Sequence, residues 1–123
     1  MPTLSDASLT EDERRVVERL VVLMREHFRE RLHSVWLYGS RARGERPHAE
    51  SDIDLLAIAD TGGFADIHEA IGLIDQAVEE LDVPRPIVSV KVYDPSWLAG
   101  RRRIESFFIQ EVDRDKIVLF GEL

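Results

Sequence analysis

The sequence predicts a mixed α/β sandwich, a sheet of three strands with a possible short fourth, backed by helices near residues 11–32, 64–82 and 96–113. Two helical stripes and three hydrophobic strands carry this expectation. Val17, Leu20, Val21, Met24 and Phe28 recur at helical spacing, as do Phe64, Ile67, Ile71, Ile74, Val78 and Leu81. Residues 34–38, 52–59 and 87–93 read as strands, because alternate side chains of each sort onto opposite faces or the run is apolar throughout.

The 123 residues suit one domain with a real core, and leave no room for a separate substrate-binding domain. Hydrophobic residues make up 44% and charged residues 33%, a soluble balance, and no apolar run approaches the roughly 18 residues of a membrane span. The absence of cysteine excludes disulfides and thiolate metal sites, and with no signal-like N-terminus it points to the cytoplasm. A net charge of −8 argues against general nucleic-acid binding, which relies on a positive field. Oligomerisation is left open.

Residues 1–9 are polar and aperiodic and are expected to form a flexible tail ahead of a single domain over residues 10–123. Thr10 and Glu13 form a capping box that starts the first helix. The strand that follows sets Trp36 and Tyr38 on one face and Val35 and Leu37 on the other. A loop over residues 45–51, with Pro47 and no apolar anchor, is expected to be exposed. Thr61-Gly62-Gly63 breaks the chain before the second helix. That helix's stripe reads as core, since a coiled-coil face would need more than its fewer than three heptads. Pro84 and Pro86 precede the third strand, which puts Val88, Val90 and Val92 on one face and Ile87, Ser89, Lys91 and Tyr93 on the other. Asp94-Pro95-Ser96 opens a last helical region with a break at Gly100 and buried positions at Ile104, Phe107, Phe108 and Val112. Residues 117–120 read as a short final strand or an extended segment.

The chemistry concentrates between Val35 and Ile58. Asp52 and Asp54 sit two apart in a strand, so both carboxylates point to one face, roughly 6 to 7 Å apart, while Ile53 and Leu55 face the core. Their repulsion calls for a cation, and a divalent metal is the simplest one. Gly39 directly after a hydrophobic strand permits close backbone approach to a ligand. Ser40 is a good N-cap, opening a helical turn whose free N–H groups suit a phosphate.

Gly39, Ser40, an eleven-residue spacer and Asp52-Ile53-Asp54, with the run Gly-Ser-Arg-Ala-Arg-Gly at residues 39–44, resemble the minimal nucleotidyltransferases of the DNA polymerase β superfamily. The resemblance extends through residues 107–120 and so covers nearly everything after the tail. It implies a polymerase-β-like nucleotidyltransferase fold and in-line attack of an acceptor hydroxyl on the α-phosphate of ATP. In that scheme Asp52 and Asp54 hold Mg²⁺, two ions in the family, and Ser40 with nearby backbone N–H groups holds the outer phosphates. Gly39, Ser40, Arg41 and Arg43 are the nucleotide-binding candidates, although arginines on a short exposed helix are solvated about as often.

The family places a third carboxylate on the third strand, where this chain has Ser89. A serine is no effective general base near neutral pH and a weaker metal ligand than a carboxylate. Lys91, on the same face, brings positive charge, and Asp94 is a conceivable substitute carboxylate. Two functions follow. One is an active transferase, of AMP to a partner-protein hydroxyl. The other is a catalytically weakened or inactive binding module that neutralises a partner by occupying it. Small stand-alone members resemble the antitoxin half of toxin–antitoxin pairs, whose partner is a HEPN ribonuclease. Arg101, Arg102 and Arg103 read first as a solvated helix face, Trp97 as a packing anchor, and the four histidines as ordinary surface or rim residues, with His48 the nearest to the site.

Overall fold

The computed structural model describes residues 3–45, 52–61 and 63–121. Helix α1 (Glu11–Phe28) opens on the expected reciprocal cap: Glu13 N donates to the Thr10 hydroxyl at 3.1 Å and Thr10 N donates to Glu13 Oε1 at 2.9 Å. It closes at Arg29, which takes φ +52°, so the helix ends about one turn before the expected residue 32. A short 3-10 turn leads into β1 (Leu32–Tyr38). The four-residue helix α2 (Gly39–Ala42), strand β2 (Ile53–Ala59), helix α3 (Phe64–Leu81) and strand β3 (Val88–Tyr93) follow. Helices α4 (Pro95–Arg103) and α5 (Phe107–Asp115) then lead to β4 (Ile117–Gly121).

The sheet is mixed, in the order β3-β2-β1-β4. Strand β1 is antiparallel to β2 and to β4, whereas β2 and β3 run parallel and are joined through α3. Since β1 and β2 are interior, both of their faces must be covered, which explains their nearly unbroken apolar runs. Val35, Leu37, Leu55, Ala57, Val90 and Val92 lie in the core shared with α1 and α3. Trp36, Tyr38, Leu56 and Ile58 lie in a second core with Ile109 and Val112 of α5 and with Trp97 and Leu98 of α4. The expected fourth strand is present as β4, whose Gly121, at φ +80°, passes so close to His33 that a Cβ there would lie 2.0 Å from the His33 carbonyl oxygen.

Three expectations are corrected. The first concerns the segment read as a flexible tail: Leu4–Asp6 form a 3-10 turn, and Leu4, Ala7 and Leu9 pack on the core. Its anchor is polar and therefore invisible to hydrophobic periodicity, because Ser8 N donates to the Arg41 carbonyl at 2.8 Å and Arg41 Nη1 donates back to the Ser8 carbonyl at 3.1 Å.

Helix α3 buries only part of the expected stripe, Ile74 fully and Ile67, Val78 and Leu81 in part, and adds small residues to it. Ala70, Ile74 and Ala77 are buried, whereas Phe64 is 91% exposed and Ile71 is also exposed. Helices α1 and α3 lie side by side on the same face of the sheet, so Ala77, Leu73, Val78 and Leu81 turn toward Val16 and Leu23 of α1. Ala77 is fully buried in that contact, and a stripe of large residues alone does not mark it.

The last helical region breaks at residues 104–106 rather than at Gly100, which lies inside α4. Glu105 takes φ +51°, Ser106 N donates to the Arg101 carbonyl at 3.1 Å, and the Ser106 hydroxyl caps α5 by accepting from Ile109 N at 3.3 Å. The break rotates α5 so that Ile109 and Val112 are buried, Phe108 is half-buried, and Ile104 and Phe107 are 67% and 87% exposed.

Candidate active site

The site forms where β1 hands over to α2. Tyr38, the last residue of β1, pairs with Asp54 of β2. Gly39 then takes φ +79°, and a Cβ at this position would lie 2.5 Å from Asp54 Oδ2. A side chain here would have to push that carboxylate aside, and the positive φ by itself favours glycine. Glycine therefore serves two ends here, a positive φ and a close approach. The helix begins at Gly39, so Ser40 lies within its first turn and is not the N-cap expected of it. Tyr38 occupies the cap position and makes no side-chain capping bond.

Asp52 immediately precedes β2 and Asp54 is its second residue, with fully buried Ile53 between them directed into the α1/α3 core. The two carboxylates are thus both on the opposite face, and neither forms a hydrogen bond or ion pair with another described residue. Burial pushes the Asp54 carboxyl above the usual range; the nearby Lys91 charge pulls it back, and the Asp52 charge adds to the rise.

Strand β3 completes the face. Ser89 is in register with Asp54, the position that alternation assigns to it, and Lys91 lies two residues on. The Lys91 ammonium donates to the Tyr38 hydroxyl at 3.0 Å. Burial works against the Lys91 charge, but the Tyr38 hydrogen bond and the Tyr38 and Asp54 charges outweigh it and raise its pKa. Burial is also the largest influence raising the pKa of Tyr38, ahead of the opposing effect of Lys91. Tyr38 went unremarked as a site residue, although its place beside Gly39 on the Asp54 face was available in strand alternation.

Beyond Lys91 a cavity of about 280 Å³ is lined by Tyr93, Trp97, Arg101, Ser106 and Phe108. Trp97 stacks on Tyr93 with ring centroids 3.9 Å apart, in keeping with its reading as a packing anchor. Asp94 is no substitute carboxylate, because its side chain caps α4 by accepting from Trp97 N at 2.7 Å.

The arginine candidates are engaged within the protein. Arg41, 6% exposed, pairs with Glu13 at 2.8 Å, besides its bond to Ser8, so it fastens α2 to the start of α1. Arg43 pairs with Glu45 at 2.8 Å and with Asp115 of α5 at 3.2 Å. Arg102 pairs with Asp113, and the Arg101 guanidinium lies over the Trp97 ring. His27 and His33 are surface residues facing Glu69 and Asp60, whereas His48 and most of the loop over residues 45–51 lie outside the described residues.

The half-buried, mutually repelling Asp52 and Asp54, with Gly39 against one of them, fit one divalent cation. Among the described residues no group of three or more histidine, aspartate or glutamate side chains could hold a metal.

Solved structures share the architecture. A protein from Sulfolobus solfataricus provisionally assigned as a nucleotidyltransferase is similar at 22% identity and a TM-score of 0.50, over 87% of this chain and 78% of that one. A toxin–antitoxin complex with AMP-PNP is similar at 24% identity and a TM-score of 0.52, over 85% and 73%. The toxin–antitoxin complex MntA-HpeT carrying two Asp-to-Glu substitutions is similar at 22% identity and a TM-score of 0.51, again over 85% and 73%. At these identities the likeness establishes the fold. No curated protein matches the chain at a significant level. The model of the nucleotidyltransferase domain family matches residues 17–107, a span that runs from the first helix through both halves of the site. The chain therefore belongs to the nucleotidyltransferase domain family.

Proposed function

We propose that this domain transfers a nucleoside monophosphate, AMP from ATP, to a hydroxyl on a partner protein, and that it acts in the cytoplasm as the antitoxin of a HEPN-type ribonuclease. The observation that carries the chemistry is the approach of the Gly39 turn to Asp54, which puts backbone N–H groups close to two carboxylates that have no partner among the described residues. Backbone N–H groups of the turn and the Ser40 hydroxyl hold the outer phosphates. The acceptor hydroxyl oxygen attacks the α-phosphorus and gives up its proton to solvent, the bond from the α-phosphorus to the oxygen bridging to the β-phosphate breaks, and pyrophosphate leaves. A divalent ion on Asp52 and Asp54 supplies charge neutralisation at the phosphoryl group when bound. Like charge along β2 would otherwise repel the triphosphate, so nucleotide and ion are expected to bind together.

Support for a protein acceptor comes from the family resemblance and from the likeness to toxin–antitoxin complexes, one of them with AMP-PNP. No described helix is long and apolar enough to cross a membrane.

The second reading, a binding module that neutralises its partner by occupancy, is favoured by one observation, the neutral Ser89 in register with Asp54. The intact mass of the protein encoded by the adjacent gene separates the two. After incubation with this chain, Mg²⁺ and ATP, a gain of AMP units with the wild type and none with Asp52→Asn or Asp54→Asn is expected. An unchanged mass in a complex that nevertheless forms would establish the binding module instead.

A further inference from the structure

Two divalent ions would bring four positive charges to a phosphoryl-transfer site, and such ions are held by oxygen ligands, carboxylates above all. Here the described residues offer two carboxylates, and the β3 residue paired with Asp54 is Ser89, whose neutral hydroxyl is a poor ligand for a second ion. The same face carries a fixed cation instead. Lys91 on β3 and Tyr38 on β1 flank β2, and their side chains meet at 3.0 Å, so the Lys91 ammonium is held across β2 next to Asp54. The ring faces of Tyr38 and Phe108, with centroids 5.7 and 6.0 Å from the ammonium nitrogen, favour positive charge there. Lys91 also lines the open cavity under α4 and is not sealed into the core.

Resting on the transferase reading, we propose that this site works with one divalent ion, and that the Lys91 ammonium stands in for the second. One ion balances Asp52 and Asp54. The lysine, with N–H donors beyond the one given to Tyr38, adds a positive charge toward the nucleotide phosphates and repels a second divalent ion. Ser89 and Lys91 then act together: the register position beside Asp54 offers no carboxylate, and the side chain two residues on supplies positive charge in place of a second ion. Tyr38 is a positioning residue in this scheme, because its hydroxyl fixes where the ammonium lies.

The test counts ions instead of turnover. The full chain is titrated with Mn²⁺ and a non-hydrolysable ATP analogue, and free Mn²⁺ is followed by electron paramagnetic resonance against an analogue-only control. One bound Mn²⁺ per chain is expected for the wild type at saturation. Lys91→Met is expected to weaken analogue binding about tenfold, Lys91→Arg to keep most of it, and Ser89→Asp combined with Lys91→Met to bind two ions. Far-ultraviolet circular dichroism confirms that each variant folds. Two ions in the wild type, or equal analogue affinity for Lys91→Met and wild type, would overturn the proposal while leaving the transferase reading intact. A wild type that binds no analogue at any Mn²⁺ concentration would overturn the transferase reading and this proposal with it.

Discussion

Asp54 is a residue that the fold holds at a cost. Burial raises its pKa, Lys91 offsets part of the rise, and Asp52 adds to it. For a carboxylate whose folded pKa lies above its unfolded one, the stabilising contribution is present below the unfolded value and is lost as pH rises through the folded value. Above that range the Asp54 carboxyl therefore detracts from the stability of the fold. Asp54→Asn should melt at a higher temperature than the wild type at pH 7 in the presence of a chelator, with the gap closing as pH falls toward about 4. Mg²⁺ should raise the melting temperature of the wild type and leave the variant where it is. A variant that melts lower than the wild type in chelator would show that Asp54 contributes stabilising contacts instead. At this scale the sequence was informative: the spacing of Asp52 and Asp54, the glycine after β1 and the register of Ser89 all follow from alternation along strands. What it did not convey is that Arg41 faces inward, because the same Gly-Ser-Arg run is compatible with an arginine pointing at phosphate or at Glu13.

Helices α4 and α5 show what a helical pattern leaves out. A continuous helix over residues 96–113 would place Ile104, Phe107 and Phe108 together, and the left-handed Glu105 breaks that continuity. Glycine is the residue usually expected at such a position, so a glutamate there conceals the break and Gly100 misdirects the reader. The two helices are then held at their angle by charge. Arg102 of α4 meets Asp113 of α5 at 2.7 Å, and Lys116, almost fully buried, meets the same carboxylate at 2.6 Å while lying 4.0 Å from the Trp36 ring centroid. Burial alone would raise the Asp113 pKa, but the bonds to Arg102 and Lys116 outweigh it and hold it below the ordinary value. The sign is opposite to that of Asp54, since this contribution is present above the unfolded pKa and is lost as pH falls through the folded one. Asp113→Asn should cost about 1–2 kcal/mol at neutral pH by chemical denaturation, and the difference from wild type should shrink once acid has protonated the wild-type carboxylate. A difference that stays constant from pH 7 down to the acid limit would assign the effect to packing.

Across the whole molecule, the site is assembled from pieces far apart in sequence: β1 and α2, the start of β2, the middle of β3, and the ends of α4 and α5 that roof the Lys91 cavity. The N-terminal segment belongs to this assembly as well. Its Ser8 exchanges hydrogen bonds with Arg41, one residue beyond Ser40, and Arg41 also reaches Glu13 at the start of α1. Deleting residues 1–9 should lower the melting temperature, through the lost contacts of Leu4, Ala7 and Leu9. It should also weaken nucleotide-analogue binding, although no deleted residue belongs to the nucleotide-binding set. Analogue affinity equal to that of the full chain would show that Glu13 alone holds the turn. If both quantities fall together, residues 3–9 act as a latch on the turn proposed to bind phosphate, and a protease that clips them, or a partner that peels them away, would loosen that turn without touching Asp52 or Asp54.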